Sequence, residues 1–82
     1  MPRYFIDTDD GDLSQQDADG LELPDDEAAR TAALDALPDM ARDKLPDGDH
    51  RTFRVTARDE QGAVVYCATM TLKGERGQTP AS

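Results

Sequence analysis

The stretch TFRVTARDEQGAVVYCATMTL, residues 52–72, decides the fold of this 82-residue chain. In its first part, Thr52–Arg58, the apolar side chains of Phe53, Val55 and Ala57 alternate with polar ones and lie on one side of a strand. The next four residues, DEQG, end in glycine and are typical of a hairpin loop. The remaining residues alternate again. The stretch therefore predicts an antiparallel hairpin with one apolar side.

The second strand of this hairpin, Ala63–Leu72, is the longest predicted strand. Alternate side chains of a strand point to opposite sides of its sheet. The side with Val65 and Cys67 is otherwise occupied by threonines. The side predicted to face the core consists of Val64, Tyr66, Ala68, Met70 and Leu72.

A second, shorter hairpin is predicted at the start of the chain. The segment RYFID, Arg3–Asp7, is rich in aromatic and β-branched residues and predicts a strand from which Phe5 points away from the core. A polar loop, residues 8–20, follows. The alternation in Leu21–Leu23 then predicts a short return strand.

An alanine-rich segment between the two hairpins predicts a helix. Alanine has the highest helix propensity, Asp25 suits the N-cap position, and Pro46 and Gly48 are predicted to end the helix. Because Pro38 lacks the amide that would bond to the carbonyl four residues earlier, we expect a kink or a break into two segments near Leu34–Leu37. The predicted buried stripe comprises Ala29, Ala33, Leu37, Met40 and Ala41.

Together these elements predict an α+β domain with the order ββαββ. One helix, straight or kinked at its proline, covers one face of a four-stranded, mostly antiparallel sheet. A right-handed crossover gives the strand order 2-1-3-4. We expect residues 1–73 to form a single domain and residues 74–82 to form a disordered tail.

Eighteen acidic residues against nine basic ones give a formal net charge of −9. Binding nucleic acid through its phosphates requires clustered lysine and arginine, so this class of function is excluded. The charge favours a basic protein partner, a cation, or simply a solvated acidic surface. With one cysteine, no signal-peptide pattern and no apolar run of the roughly 20 residues that span a bilayer, the sequence predicts a cytoplasmic protein without membrane contact.

The sheet face away from the helix is predicted to carry Phe5, Val65 and Cys67 among arginines and threonines. A domain of this size buries only about 60% of the surface of its unfolded chain, so covering these side chains would add stability. We therefore predict a homodimer through this face. The alternative is an ordinary surface with scattered apolar residues.

The acidic stretch DTDDGD, Asp7–Asp12, raises the question of a cation site. A calcium-binding EF-hand loop needs a glycine at its sixth position and a glutamate at its twelfth. With Asp7 as the first position, Gly11 is the fifth and Ala18 the twelfth, so the spacing does not fit. The Asp-Gly pair favours a turn. The alternative that stays open is an irregular divalent-cation site formed by Asp9, Asp12, Asp17 and Asp19.

Candidates for catalysis are few in this sequence. His50 lies in a polar connection before the third predicted strand, and no serine or cysteine is evidently paired with it. Cys67 lies in mid-strand, where it is expected to be a small buried hydrophobe. We find no zinc-ligand pairs, phosphate-binding glycine loop or hydrolase motif, so we predict no catalytic residue, no cofactor and no enzymatic activity.

Three segments together resemble a family of small bacterial proteins of unknown function: MPRYFIDTDDGD, DADGLELPDDEAARTAALDAL and RTFRVTARDEQGAVVYCATMTL. That family usually opens with M-P-R-Y-F-F-D, followed by an acidic D-G loop, a G-x-E-L-P-D-x-x-A-A-R helix start and a closing hairpin. The resemblance extends to about Leu72 and departs at Ile6 and Pro38. It implies a fold and a bacterial cytoplasmic origin but no activity. The matching positions are Arg3, Tyr4, Phe5, Asp7, Gly11, Gly20, Glu22, Leu23, Pro24, Asp25, Ala28, Ala29 and Arg30.

A fainter similarity links the chain to antitoxins of the HicB type, which neutralise a basic RNA-cleaving toxin. The shared features are an early sheet, a glycine-bearing turn and an alanine-rich helix that begins near an acidic "PD" segment. We therefore expect a non-enzymatic acidic interaction or regulatory module. The alternatives are a divalent-cation-binding protein and an antitoxin-like inhibitor of a basic partner.

Overall fold

A computed structural model of the chain describes residues 1–44 and 49–77. It confirms the predicted α+β class, with one helix packed on one face of an antiparallel sheet. No helix in these two ranges is long and apolar enough to cross a membrane. The elements in chain order are β1 (Arg3–Asp9), β2 (Ser14–Gln15), β3 (Leu21–Glu22), α1 (Asp26–Lys44), β4 (His50–Arg58) and β5 (Val64–Lys73).

The sheet has the order β2-β1-β4-β5, with β3 also paired to β1, so the predicted strand order is confirmed. The predicted loop at residues 8–20 is wrong in part, because β1 extends to Asp9 and the loop contains β2. The return strand of the first hairpin is thus in two pieces. Tyr4 pairs with Leu21 and Thr8 with Gln15, so six steps of the return segment lie opposite four steps of β1. The two extra residues force the segment to leave the ladder between β2 and β3.

The core lies between α1 and the two central strands. Phe53 and Val55 of β4 are completely buried, as are Ala29 and Ala33 of the helix. Alanine on the inner face allows the helix to approach the sheet closely, and burial of a side chain such as phenylalanine or valine stabilises the fold by about 1.5–3 kcal/mol. The buried core residues are Tyr4, Ala29, Ala33, Leu37, Ala41, Phe53, Val55 and Ala57.

Five side chains differ from the predicted pattern of burial: Met40, Val64, Val65, Cys67 and Met70. Met40 is only half-buried at the edge of the core, and Met70 is exposed on β5, the last strand of the sheet. Val65 is the extra residue of a β-bulge between the pairs Ala57–Tyr66 and Arg58–Val64. The bulge turns Val65 towards the core and Val64 to the open face, where Val64 is exposed, so the predicted sides of both residues are wrong.

Cys67 does lie on the open face, and it is exposed. The expectation of a small buried hydrophobe is therefore wrong. The helix covers only one side of the sheet, and the described residues place no layer over the other side.

The helix begins as predicted, with the carboxylate of Asp25 accepting a hydrogen bond from the Ala28 amide at 2.9 Å. It continues without interruption through Pro38, so the expected break into two segments is wrong. Pro38 is exposed, whereas Leu37 and Ala41 on either side of it are buried against the sheet. Packing of these neighbours offsets the loss of one amide.

Two expectations fall wholly or partly outside the described residues. The helix end at Pro46 and Gly48 lies in the undescribed range 45–48. Of the predicted tail 74–82, residues 74–77 are described and belong to no helix or strand, and residues 78–82 are outside the description.

Replacing Pro38 by alanine should stabilise the domain. The substitution restores an amide that can donate to the Leu34 carbonyl, and it relieves the crowding of the proline ring. We expect the free energy of unfolding to rise by about 1–3 kcal/mol, measured by thermal or urea unfolding. Asp35→Ala, at another exposed position of the same helix, is the control and should change it by about 0.5 kcal/mol or less. A loss of stability in Pro38→Ala would mean that the proline favours the native helix geometry.

Two glycines with positive φ give a matched pair for a second test. Gly20 has φ +74, and a Cβ atom there would lie 2.9 Å from side-chain atoms of Arg3 and Phe5 and from the Tyr4 carbonyl. Gly62 has φ +84, but a Cβ atom there would meet nothing within 4 Å.

We therefore expect Gly20→Ala to be more destabilising than Gly62→Ala. The backbone strain alone costs about 1–2 kcal/mol in both variants, and the close contacts add about 1–3 kcal/mol in Gly20→Ala. Urea unfolding of the two variants measures the difference. Equal losses of stability in the two variants would show that the chain around Gly20 relaxes to make room for the methyl group at no cost in free energy.

Candidate functional site

The acidic stretch DTDDGD forms the turn between β1 and β2. The carboxylate of Asp10 accepts the amides of Asp12 and Leu13 at 2.9 and 2.8 Å, and the Asp10 amide donates to the Leu13 carbonyl at 3.1 Å. Asp9 accepts the amide of Gly11, whose φ is +95. This short-range capping is the usual role of aspartate and glycine in tight turns, so the predicted turn is confirmed.

Basic side chains attach this turn to the rest of the domain. Arg51 at the start of β4 donates to the Asp10 carbonyl at 2.7 Å and pairs with Asp12 at 3.1 Å. Lys44, the last residue of α1, lies 3.9 Å from the Asp10 carboxylate. The acids of the turn therefore have a structural role between the helix end and the central strand.

The second acidic segment centres on Asp17, where the return segment leaves the ladder. Its carboxylate accepts the amides of Ile6, Asp19 and Gly20 at 3.1, 3.1 and 3.0 Å. The amide of Asp17 in turn donates to Asp7 at 2.9 Å. A side chain thus takes the place of backbone partners that β1 lacks where the return segment leaves the ladder.

Arg58 connects this segment to β4. Its guanidinium donates twice to the Asp7 carboxylate, at 2.6 and 3.0 Å, and once to the Asp17 carbonyl at 3.4 Å. The same guanidinium lies over the Phe5 ring, 5.2 Å from its centre. The fork-like geometry and partial burial make this pair more stabilising than an exposed ion pair.

The pKa values of the three bonded aspartates are all lowered. For Asp17 the cause is chiefly the hydrogen bond from the Gly20 amide, and for Asp10 it is the amides of Leu13 and Asp12. Partial burial opposes ionisation of Asp7, but the bonds from Arg58 and from the Asp17 amide outweigh it and lower its pKa.

The four carboxylates of the cation-site hypothesis are not brought together. Asp9 caps the first turn, Asp12 faces Arg51, and Asp17 is surrounded by amides. Within residues 1–44 and 49–77, no three side chains of the types that ligate metals are grouped so that they could hold an ion. Asp19 contributes its backbone, which accepts a hydrogen bond from Arg3 at 2.7 Å.

The two candidate catalytic side chains are far apart. His50 is exposed as the first residue of β4, although the sequence predicted a loop there. Cys67 lies opposite Thr56 on the open face, and their side chains approach to 3.7 Å. Since Thr56 is six residues from His50 along an extended strand, Cys67 is roughly 20 Å from the histidine. The geometry provides no cysteine–histidine pair.

The open face carries a shallow cavity of about 320 Å³ between β2 and the start of β5. Most of its lining residues are of polar types, with Arg54 and Thr56 on one side and Ser14 and Gln15 on the other, and Val64 adds an apolar side chain. The acids and bases within it favour contact with a polar surface more than enclosure of an apolar ligand.

A concentration of negative charge lies where α1 and β1 begin. The Tyr4 hydroxyl donates to Asp26 at 2.7 Å, and the Arg3 amide donates to Glu60 at 3.3 Å. The hydrogen bond to Asp26, burial, and the nearby charges of Asp26, Asp25 and Asp59 raise the pKa of Tyr4 to about 12. We call this group the acidic end; its members are Asp25, Asp26, Asp59 and Glu60.

Sequence reasoning missed the Arg58–Asp7 pair and the acidic end. A signal for the pair was present, because β1 carries acids and β4 carries arginines on their outward sides, and opposite charges on neighbouring strands attract. The acidic end had no such signal. Its two pairs, Asp25–Asp26 and Asp59–Glu60, are more than thirty residues apart in the sequence, and the position of the β4–β5 turn beside the helix start brings them together.

Acid should unfold the domain through its bonded aspartates. Because the pKa values of Asp7, Asp10 and Asp17 are lowered by folding, the unfolded chain binds more protons, and the stability from these groups is complete above their ordinary value of 3.8. It is lost as the pH falls below 3.8 through the lowered values. Urea unfolding as a function of pH should show this decrease.

Asp17→Asn should cost about 1.5–3 kcal/mol at neutral pH, because charge-assisted hydrogen bonds are lost, and should reduce the acid-dependent decrease. The control is Asp19→Asn, which removes the same charge from an exposed neighbour. If both variants have the same pH dependence, the bonds to Asp17 do not account for the acid sensitivity.

Comparison with known proteins agrees with the resemblance noted in the sequence. The family model described as a domain of unknown function, DUF6894, matches residues 3–71. No curated protein and no solved structure matches the chain, so the similarity to HicB-type antitoxins has no support. The match includes every element from β1 to β4 and nearly all of β5. The chain therefore belongs to the family of the domain of unknown function DUF6894.

Proposed function

We propose that this domain is a non-enzymatic interaction module that binds a basic protein partner through its acidic end. The observation that carries the proposal is the hydrogen bond from the Tyr4 hydroxyl to Asp26 at 2.7 Å, with the charges of Asp25 and Asp59 near enough to raise the pKa of Tyr4 and with Glu60 bonded to the Arg3 amide. Acidic side chains from the helix start and from the β4–β5 turn form one negatively charged surface. Such a surface attracts lysine- or arginine-rich segments and speeds their association.

The internal ion pairs strengthen this interpretation. Within the described residues, six of the nine basic side chains form ion pairs with acids of the same chain, three of them with Asp7, Asp10 and Asp12. The remaining acids are in excess over the remaining bases, so the outward field of the domain is negative. A basic partner would complement this field, and phosphate groups would be repelled.

The separation of His50 from Cys67 supports a role without catalysis. The carboxylates of Asp7, Asp10 and Asp17 are occupied by amides and basic side chains that keep them ionised. A general acid would need the opposite, a carboxyl group whose pKa is raised by burial. The same contacts weigh against a divalent-cation role, because a cation would compete with donors that the chain already supplies.

The lone thiol and the family resemblance favour a reducing compartment, and we propose the bacterial cytoplasm as the place of action. A regulatory role fits a small binding domain in that compartment. Its partner would be recognised by a cluster of positive side chains that fits between the helix start and the β4–β5 turn.

Binding of a short oligolysine peptide, followed by NMR titration at low and moderate salt, tests the proposal. The triple variant Asp25→Asn, Asp59→Asn, Glu60→Gln removes charge from the acidic end. Asparagine still accepts the capping bonds that Asp25 and Asp59 make, so the fold should persist. We expect chemical-shift changes around Tyr4 and the β4–β5 turn in the wild type, and at least a tenfold weaker affinity in the variant.

The matched control is Asp35→Asn, Asp43→Asn, Glu75→Gln, which has the same net charge but alters exposed acids elsewhere. It should bind the peptide nearly as well as the wild type. If the two triple variants weaken binding equally, only net charge matters, and the acidic end is not a binding site.

A further inference from the structure

Strand β5 is the last strand of the sheet, and its outer edge has no neighbour among the described residues. It is long for an edge strand, with ten residues from Val64 to Lys73. A free edge presents a row of unpaired amides and carbonyls, which is a template for pairing with another strand.

The hydrogen bonds of β1 establish which groups of β4 point towards β5. The Ile6 amide donates to Asp17 and the Asp10 amide to Leu13, so even-numbered residues of β1 face the β2 side. Odd-numbered residues of β1 therefore face β4, because the backbone groups of a strand alternate in direction. By the observed register these pair with Arg54, Thr56 and Arg58, whose backbones face β1.

It follows that the backbones of Phe53, Val55 and Ala57 face β5 and bond with its even-numbered residues. The hydrogen bond from the Asp59 amide to the Ala63 carbonyl, 2.8 Å, agrees with this alternation. The backbone groups at the outer edge of β5 therefore belong to Cys67, Thr69, Thr71 and Lys73.

Nothing in the sequence of this edge discourages pairing. Natural edge strands are protected by charged side chains, prolines or bulges. From Val64 to Leu72 there is no charge and no proline, although a third of the whole chain is charged, and the bulge at Val65 affects only one end. Val64 and Met70 are 60% and 37% exposed, so apolar surface accompanies the open edge.

We propose that β5 pairs in antiparallel fashion with β5 of a second copy of this chain, so that the two sheets become continuous. The two-fold axis would pass near Ala68 and Thr69, the middle of the strand. The arrangement is self-complementary in hydrogen bonding, because the outward amides and carbonyls of β5 in one copy meet the carbonyls and amides of the same strand in the other.

Charge at the two ends of β5 favours pairing with a second copy of this chain. Antiparallel pairing places Lys73 of each copy beside residues 63–65 of the other, next to the turn that carries Asp59 and Glu60. Opposite charges therefore meet twice, once at each end of the joined strands. On the helix side, Tyr66 of one copy would lie near Met70 of the other, where an aromatic ring and a thioether attract.

Sedimentation from micromolar to millimolar concentration, combined with substitutions at Thr69, tests the proposal. Thr69→Pro removes an outward amide without breaking the ladder to β4, since edge strands tolerate proline there. Thr69→Ala loses the same side chain but keeps the amide. We expect species near twice the 9.0 kDa chain mass for the wild type and Thr69→Ala, and a folded monomer for Thr69→Pro.

Arg54→Glu distinguishes the edge from the open face, because Arg54 is exposed in the middle of that face and its backbone faces β1, not the outer edge of β5. It should leave the dimer intact. A wild type that stays monomeric, a Thr69→Pro variant that stays dimeric, or dissociation of Arg54→Glu would each overturn the proposal, the last in favour of a dimer through the open face.

Hydrogen exchange provides a readout that needs no substitution, in case Thr69→Pro fails to fold. In the wild type, the amides of Cys67, Thr69 and Thr71 should be protected at high concentration and lose that protection on dilution. The amides of Tyr66 and Ala68, which bond to β4, should stay protected throughout. Rapid exchange of the outward amides at every concentration would overturn the proposal.

Discussion

The whole domain is built on β4, whose inner side chains are completely buried beneath the alanines of α1. Phe53, Val55 and Ala57 have no exposed surface, and neither do Ala29 and Ala33 opposite them. A chain of this length can bury only one thin apolar layer, so each of these contacts carries a large share of the total stability. β1 and β5 are positioned by pairing to either edge of this strand. The small size of alanine is what allows a single helix to cover the centre of the sheet.

Several of the acidic side chains stabilise the fold itself, apart from any contact with a partner. Where the return segment of the first hairpin leaves the ladder, the carboxylate of Asp17 replaces missing backbone partners and Arg58 holds Asp7 beside it. Where β1 turns into β2, Asp10 caps the turn and Arg51 fixes it to the central strand. A cluster of acids that suggests a cation site in the sequence is thus largely a set of acceptors for the chain's own amides. The carboxylates of the acidic end, which lie where α1 and β1 begin, are the ones that we propose contact a partner.

The two proposed binding surfaces differ in chemistry and in position. The acidic end is charged and formed by side chains, so it is suited to fast, salt-sensitive contact with a basic segment. The outer edge of β5 is neutral and formed by backbone groups, so it is suited to a second strand. The turn with Asp59 and Glu60 lies between them and can contribute charge to both. A dimer would then present two acidic ends to one partner, which would raise its effective affinity.

Local patterns in the sequence determined most of the elements. The alternation in residues 52–72 predicted β4 and β5 and their buried side, and the alanine-rich segment with Asp25 predicted the helix and its cap. These features follow from the immediate neighbours of each residue, which is why they can be recognised without a structure. Tertiary structure decided the rest. Pro38 stays within a continuous helix because Leu37 and Ala41 are packed against the sheet, and Val65 turns inward at a bulge that no local signal marked. The partners of Asp17, and the meeting of the acidic end around Tyr4, join residues far apart in the sequence, and such contacts depend on how the finished strands and helix lie against each other.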